Sequence, residues 1–144
     1  MIEQRAHAHW EGGLKEGSGS FGSTSLEGRY SFGSRFEGQP GGTPEELIGA
    51  AHASCFSMAL ALVLEQRGHT PVAIDTNATV LLDPQRLAIT RIELETEAEV
   101  PGLADSEFRQ SVEEAKDTCP VSKALSGVQI VIRSSRLKQM AGRG

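Results

Sequence analysis

The chain has 144 residues, 38% of them apolar and 23% charged, enough for one domain that buries about two-thirds of the surface its unfolded form would expose. That balance excludes an intrinsically disordered chain, whose few apolar groups cannot offset the entropy of ordering. With 14 Lys and Arg against 19 Asp and Glu, a formal charge of −5 and no long run of like charge, the basic patch that a nucleic-acid partner requires is excluded as well.

The opening residues "MIEQRAHAHW" are polar and alternating. They carry neither the apolar core of a signal peptide nor an Arg- and Ser-rich transit pattern, so a cytoplasmic protein is expected. Residues 4–10 suit a strand, and "STSLEGRYSF" places Leu26, Tyr30 and Phe32 in even register with a glycine break at Gly28, which predicts a β-hairpin or meander. Gly12, Gly13, Gly17, Gly19 and Gly22 read as punctuation of the connection.

Residues 33–42, "GSRFEGQPGG", form a loop by composition. An Arg, a Phe and a Glu stand among the glycines next to a strong helix start, a common place for function; a solvated turn is the plainer reading. The helix start is well marked: Thr43 suits the N-cap, Pro44 the first helical position, and Glu46 lies three residues after Thr43, as a capping box requires. Glu45 has no such structural role and is left for something else. The helix should run to about Gly68, which suits the left-handed residue after a helix end, with Pro71 preventing continuation.

Within this helix, "LIGAAHASCFSMALALVL" at residues 47–64 is long enough to be tested as a membrane span. It contains His52, Ser54, Cys55 and Ser57, and two glutamates stand directly before it, so a helix buried in protein is expected and no membrane. A helix apolar all round must be covered on every side, and in so small a chain one sheet covers one side only. This predicts an intimate homodimer with the long helix at its centre.

Beyond it, "VAIDTNATVLLD" and "LAITRIELETEAEV", separated by the turn residues "DPQR", predict a long antiparallel hairpin. "DSEFRQSVEEAKDTC" has Phe108, Val112 and Ala115 at helical spacing, opened by Asp105 as N-cap. "CPVSKAL" reads as a short second helical segment and "VQIVIRSS" as a closing strand. The order β, β, α, β, β, α, α, β over residues 1–144 describes a single α+β domain.

Two cysteines stand 64 residues apart without a C-x-x-C pair, and His7, His9, His52 and His69 are scattered, so no metal and no cofactor is expected. A structural disulfide is disfavoured in the cytoplasm. Two inert buried thiols are the plain alternative to reactive ones. Cys119 in "DTCPVS" would sit at a helix N-terminus, with Asp117 or Thr118 as cap and Pro120 in the first turn; free N–H groups there favour the thiolate. Cys55 lies inside an apolar helix, where desolvation raises its pKa, and needs a cation to act as a nucleophile. His52, one turn earlier, and Arg35 are the candidates near in sequence. A Cys–His hydrolase finds no nucleophile elbow or oxyanion loop here, so a hydrogen-bonded, partly buried His52 is the better reading.

"TPEELIGAAHASCFSMALAL" followed by "DTCPVSKAL" resembles the two cysteine motifs of the OsmC/Ohr family. The wording "AAHASCFSMAL", with "YSFGSRFEG" ahead of it, is similar to the OsmC branch rather than the Ohr branch. The resemblance spans nearly the whole chain. It implies an α+β fold of antiparallel sheets wrapped around a long buried central helix in an intertwined homodimer, with active sites at the subunit interface. It further implies a thiol-dependent reductase of organic hydroperoxides, in which Cys55 is the peroxidatic cysteine and Cys119 the resolving one. Arg35 would be the guanidinium that stabilises the thiolate, and Glu45 the carboxylate that holds Arg35. Other Ohr-like enzymes place their Arg in a differently threaded N-terminal segment, so the Arg35 role belongs to the OsmC branch.

The implied chemistry is consistent with these residue types. A thiolate attacks a peroxide oxygen and becomes a sulfenic acid, which a second thiol converts to a disulfide. A dithiol reductant, which the family suggests is of lipoyl type, then restores both thiols by exchange. Glu45 and Cys55 are ten residues apart, about 15 Å along a continuous helix, so they cannot touch on it. A bend near Gly49, an Arg35 that spans the gap, or a Glu from the other subunit would each resolve this; we favour Arg35 and Glu45 from one chain and the cysteines from the other. The alternatives from other classes are a non-enzymatic dimeric carrier of apolar ligands and a thiol redox sensor.

Overall fold

The computed structural model describes residues 1–138. Two compact units divide the chain, residues 1–47 and 48–144.

The first unit opens with a three-stranded antiparallel sheet, β1 (His7–Glu11), β2 (Ser18–Gly22) and β3 (Glu27–Tyr30), in that order. The glycine-rich stretch expected as a connection is therefore partly a strand. Its glycines serve packing: a Cβ on Gly19 would come within 2.7 Å of both the Trp10 and Tyr30 rings, whose centroids lie 5.4 Å apart. Aromatic rings on the neighbouring strands close over the bare backbone of β2, a placement that glycine alone permits. Gly12, at φ 86°, makes the turn that brings β2 back against β1. Residues 33–42 are likewise not all loop, for α1 (Phe32–Phe36) occupies the first part of the segment.

Helix α2 (Pro44–Gln66) is a single 23-residue element. The Thr43 hydroxyl accepts from the Glu46 N–H at 2.9 Å, as the sequence predicts. At the other end Gly68 takes φ 85°, and the His69 N–H donates to the Leu64 carbonyl at 2.9 Å, satisfying a terminal acceptor that would otherwise be left open.

In the second unit, β4 (Ala73–Asp83), β5 (Ala88–Glu99) and β6 (Gln129–Leu137) form a sheet in the order β4-β5-β6. The predicted β4–β5 hairpin is present and antiparallel. However, β6 runs parallel to β5, so this sheet is mixed rather than antiparallel. Helices α3 (Asp105–Thr118) and α4 (Pro120–Ala124) lie between β5 and β6 and return the chain to the end from which β5 started, as a parallel pair requires. Helix α3 begins one residue earlier than expected: Ala104, not Asp105, is the N-cap and makes no side-chain cap bond, and Asp105 stands in the first turn, where its carboxylate meets the positive helix end. Neither Asp117 nor Thr118 caps α4; Cys119 itself is the N-cap.

The core forms where α2, β5 and α3 each present one face. Phe56, Leu60, Val63 and Leu64 of α2 meet Ile92, Leu94 and Ala98 of β5 and Phe108, Val112 and Ala115 of α3. Strand β5 alternates strictly, with Arg91, Glu93, Glu95 and Glu97 on its other face, where Arg133 and Arg136 of β6 pair with the glutamates at 3.4–3.5 Å. Helix α2 is long and apolar enough to cross a membrane, with a mean hydropathy of 1.9 over an 18-residue window, but only a third of that window is buried. Met58 and Leu62 remain 76% and 55% exposed. In the single chain the long helix is thus only partly covered, as expected of so small a chain, and Met58 and Leu62 stand on its open face.

Candidate active site

Each unit, taken by itself, holds one pair of residues that the sequence singled out. In the first, Arg35 is carried by α1, a five-residue helix that would not persist by propensity alone. Its start is locked by a reciprocal pair of hydrogen bonds: Ser34 N–H to Ser31 Oγ at 3.0 Å and Ser31 N–H to Ser34 Oγ at 2.9 Å. The Ser34 hydroxyl also donates to the Gly42 carbonyl at 2.8 Å, tying α1 to the residues just before α2. Arg35 then forks onto Glu45, Nε to Oε1 at 2.9 Å and Nη2 to Oε2 at 3.0 Å, while its guanidinium lies 5.3 Å from the Phe36 ring centroid. A bidentate fork held against an aromatic face fixes the plane as well as the position of the guanidinium. The Glu45 side chain is 11% exposed and that of Arg35 35%, so the pair has a sheltered carboxylate end and an open guanidinium end. Glu45 stands in the first turn of α2, and the sequence was right to leave it over from the capping.

In the second unit, Cys55 on α2 is partly buried and Cys119, between α3 and α4, is completely buried. Both are free thiols, and the fold brings them close enough that each bears on the other's ionisation. Burial pushes the Cys55 thiol up, and the bond to Cys119 adds to the shift. Burial acts the same way on Cys119 but is outweighed there by the backbone N–H of Ser122, the Cys55 thiol, the Ser122 hydroxyl and the Val121 N–H, so Cys119 lies below the ordinary thiol range. No complete side-chain cap bond closes on this sulfur; the N–H groups favour the thiolate through their dipoles. Within this unit Cys55 is the thiol shifted up and Cys119 the one shifted down.

His52 is not a partner of Cys55. It is fully buried and its Nε2 lies 2.8 Å from the Ser122 Oγ, while Nδ1 has no hydrogen-bond partner among the described residues. Burial lowers its pKa from the ordinary 6.5. Ser122 is the residue that sequence reasoning passed over; its position three residues after the Cys119 cap, where a side chain turns back toward the cap, was the available signal. Because folded His52 resists protonation and unfolded His52 does not, the unfolded chain binds more protons below the unfolded value. Stability should therefore fall as pH drops from about 6.5, by at most about 1.4 kcal/mol per pH unit for the one proton. Above that pH both states are neutral and His52 adds no slope. Thermal unfolding from pH 7.5 to 5 should show this decline in the parent chain and a flatter profile in His52→Gln.

Among the described residues no three or more His, Cys, Asp or Glu side chains are grouped so as to hold a metal. The chemistry present is that of two thiols, a guanidinium held by a carboxylate and a neutral buried imidazole.

The arrangement of elements is shared with solved proteins. A crystal structure of an OsmC-like protein from Mycoplasma pneumoniae superposes with a TM-score of 0.71 over 95% of this chain and 100% of that one, at 16% identity. The model of the OsmC-like protein family matches residues 36–133, a span that contains Glu45 and both cysteines and begins one residue after Arg35. The chain belongs to the OsmC-like family. It is 49% identical over 129 residues to Peroxiredoxin OsmC of Escherichia coli (strain K12), covering 86% of this chain and 90% of that protein. It is 35% identical over 89 residues to the organic hydroperoxide resistance protein OhrA of Bacillus subtilis (strain 168), covering 58% and 60%. The stronger match agrees with the motif wording, which placed the chain on the OsmC branch.

Proposed function

We propose that the protein is a thiol peroxidase that reduces organic hydroperoxides to alcohols, with hydrogen peroxide as a further substrate. The observation that carries this reading is the meeting of two free cysteines, 64 residues apart in sequence, as neighbours that bear on each other's ionisation. Two merely structural thiols have no reason to be neighbours, whereas a peroxidatic and a resolving thiol must come within disulfide reach. The Cys55 thiolate attacks the peroxide, taking one oxygen as a sulfenic acid and releasing the alkoxide, which is protonated to the alcohol. The Cys119 thiolate attacks that sulfenic sulfur; the S–S bond forms, the S–O bond breaks, and the oxygen leaves as hydroxide, which a proton from the buffer converts to water. A dithiol reductant of lipoyl type returns both cysteines to thiols by exchange in the cytoplasm.

Arg35 supplies the cation that Cys55 needs, and Glu45 holds it by one edge so that other N–H donors face the sulfur and the peroxide. In this reading the protein works as a homodimer. Ala51, Ser54, Met58 and Leu62 are all exposed on α2, and their spacing of three, four and four residues lines them up on one helical face. A second copy covers this face, as the all-round apolar helix requires. Gel filtration at micromolar concentration should give a dimer, and Met58→Glu, which sets a charge on the stripe, should give a monomer; a monomeric parent chain would count against the assembly.

Thiol counting after one equivalent of cumene hydroperoxide tests the function. Both thiols should disappear into an intramolecular Cys55–Cys119 disulfide, and turnover should continue with a dithiol present. Two unchanged thiols would refute the peroxidase and favour a carrier of apolar ligands. Oxidation without turnover would mark a thiol sensor instead.

A further inference from the structure

Helix α4 is five residues long, too short to hold its place by helix propensity. Cys119 stands at the bend before it. Its N–H donates to the Ala115 carbonyl at 2.9 Å, ending α3, and its carbonyl accepts from the Lys123 N–H at 3.0 Å, opening α4. Val121 and Leu125 pack against the core, but apolar contact is non-directional and leaves a short helix free to slide. Among the described residues, one side-chain hydrogen bond ties α4 to another element, and it joins the Ser122 Oγ to the His52 Nε2 of α2 at 2.8 Å. Its two ends have matching places. His52 is three residues before Cys55, on the same face of α2, and Ser122 is three residues after Cys119, where an N3 side chain lies beside its N-cap residue. The bond is one helical turn from each cysteine and closes a rung next to the one that a Cys55–Cys119 disulfide would form.

This rung is a weak source of stability. His52 is 0% exposed and Ser122 7%, and the imidazole Nδ1 has no partner among the described residues. The proton therefore belongs on Nε2, which donates it to Ser122, because an orphaned buried N–H costs more than a bare lone pair. Replacing both members of such a pair by apolar groups of like shape is nearly neutral or even stabilising. What the bond supplies is a fixed distance and direction.

We propose that His52 and Ser122 are positioning residues for disulfide closure: their bond braces α4 against α2 and holds the Cys119 sulfur within bonding reach of Cys55. The use of this brace in a catalytic cycle rests on the peroxidase reading; the brace itself does not. In the step it serves, the Cys119 thiolate gives the electron pair of the S–S bond and the S–O bond of the Cys55 sulfenic acid breaks. The oxygen leaves as hydroxide, which a buffer proton converts to water. Without the brace α4 drifts in the dithiol state, and the freedom it gains is lost again when the disulfide closes.

The test measures the Cys55–Cys119 disulfide at equilibrium with dithiothreitol in the full chain, which needs no peroxide; Cys55, partly exposed, is the sulfur open to exchange. Ser122→Ala and His52→Leu should each lower the equilibrium constant for the disulfide roughly fivefold, the effect of one lost hydrogen bond. The double variant should lose no more than either single one, since both remove the same bond. Its thermal midpoint should be at or above the parent's, because neither half of the pair is then buried alone, and a loss of position is thereby separated from a loss of stability. His52→Gln, whose amide N–H can stand where Nε2–H stood, should keep most of the parent constant. After one equivalent of cumene hydroperoxide, Ser122→Ala should slow disulfide closure and increase trapping of the Cys55 sulfenic acid by dimedone. Constants equal to the parent's in both single variants, additive losses in the double variant, or a parent constant restored in it would overturn the brace. If the dithiothreitol constants shift as expected but peroxide yields no sulfenic acid, the brace stands and the peroxidase reading falls.

Discussion

Replacing Cys55 by serine should lower hydroperoxide reduction by at least roughly a thousandfold, the scale on which loss of a covalent nucleophile is felt. Replacing Cys119 by serine should leave the first oxidation and remove only its completion. The contrast matters because acidity taken alone points the other way: burial raises Cys55, while N–H and hydroxyl donors hold Cys119 low. Access reverses that ranking. Cys119 is wholly enclosed in the core, where no peroxide reaches it, whereas Cys55 is partly exposed on α2. A reactive thiol needs a path for its substrate as well as a thiolate, and a buried thiol whose pKa is lowered suits the second step. Stopped-flow consumption of cumene hydroperoxide would check this. Cys119→Ser should give one turnover at close to the parent's initial rate, followed by the added mass of a sulfinic acid on Cys55 as the unprotected sulfenic acid oxidises further. A silent Cys119→Ser chain beside an active Cys55→Ser chain would exchange the two roles.

How much of this could be read beforehand depended on whether the cause was local. The caps of α2 were legible, because Thr43, Pro44 and Gly68 write their conformations into their own chemistry. So was the β4–β5 hairpin, whose alternation and "DPQR" turn are consecutive residues. The direction of β6 was not, since a strand's residues look alike whichever way it runs and the decision lay with α3 and α4. Strand β2 was missed because the reason for its glycines is the Trp10 and Tyr30 rings on neighbouring strands. Helix α1 was missed because its stability lies in a Ser31–Ser34 cap, inside a segment whose glycines suggested a loop. Glu45, the carboxylate that elimination from the capping pattern left over, is the one onto which Arg35 forks. Ser122 was passed over because its partner, His52, lies 70 residues away. Its place three residues after Cys119 was the one local signal, and that spacing does not name His52 as the partner.

Arg35→Ala should cost about 10² to 10³ in activity at neutral pH, the usual loss when a fixed donor facing developing charge is removed. Burial would then act on Cys55 unopposed, so its thiolate would form only at higher pH. Activity should recover in part as pH is raised through the thiol range, with the profile displaced to the alkaline side of the parent's. Arg35→Lys should keep the charge and still lose about tenfold, because an ammonium cannot hold both Glu45 oxygens in the planar fork seen here. Glu45→Gln should cost less than Arg35→Ala, since it frees the guanidinium without removing it. Which chain's Cys55 the guanidinium serves is decided by mixing two dead proteins, Cys55→Ser and Arg35→Ala. If Arg35 and Glu45 act on the cysteines of the partner subunit, each mixed dimer contains one intact site. Random exchange of subunits at equal concentrations should then give about a quarter of the parent activity, since half the dimers are mixed and each has one working site of two. If the pair acts within its own chain, every site keeps a defect in either mixture, and the activity should not exceed the average of the two parents.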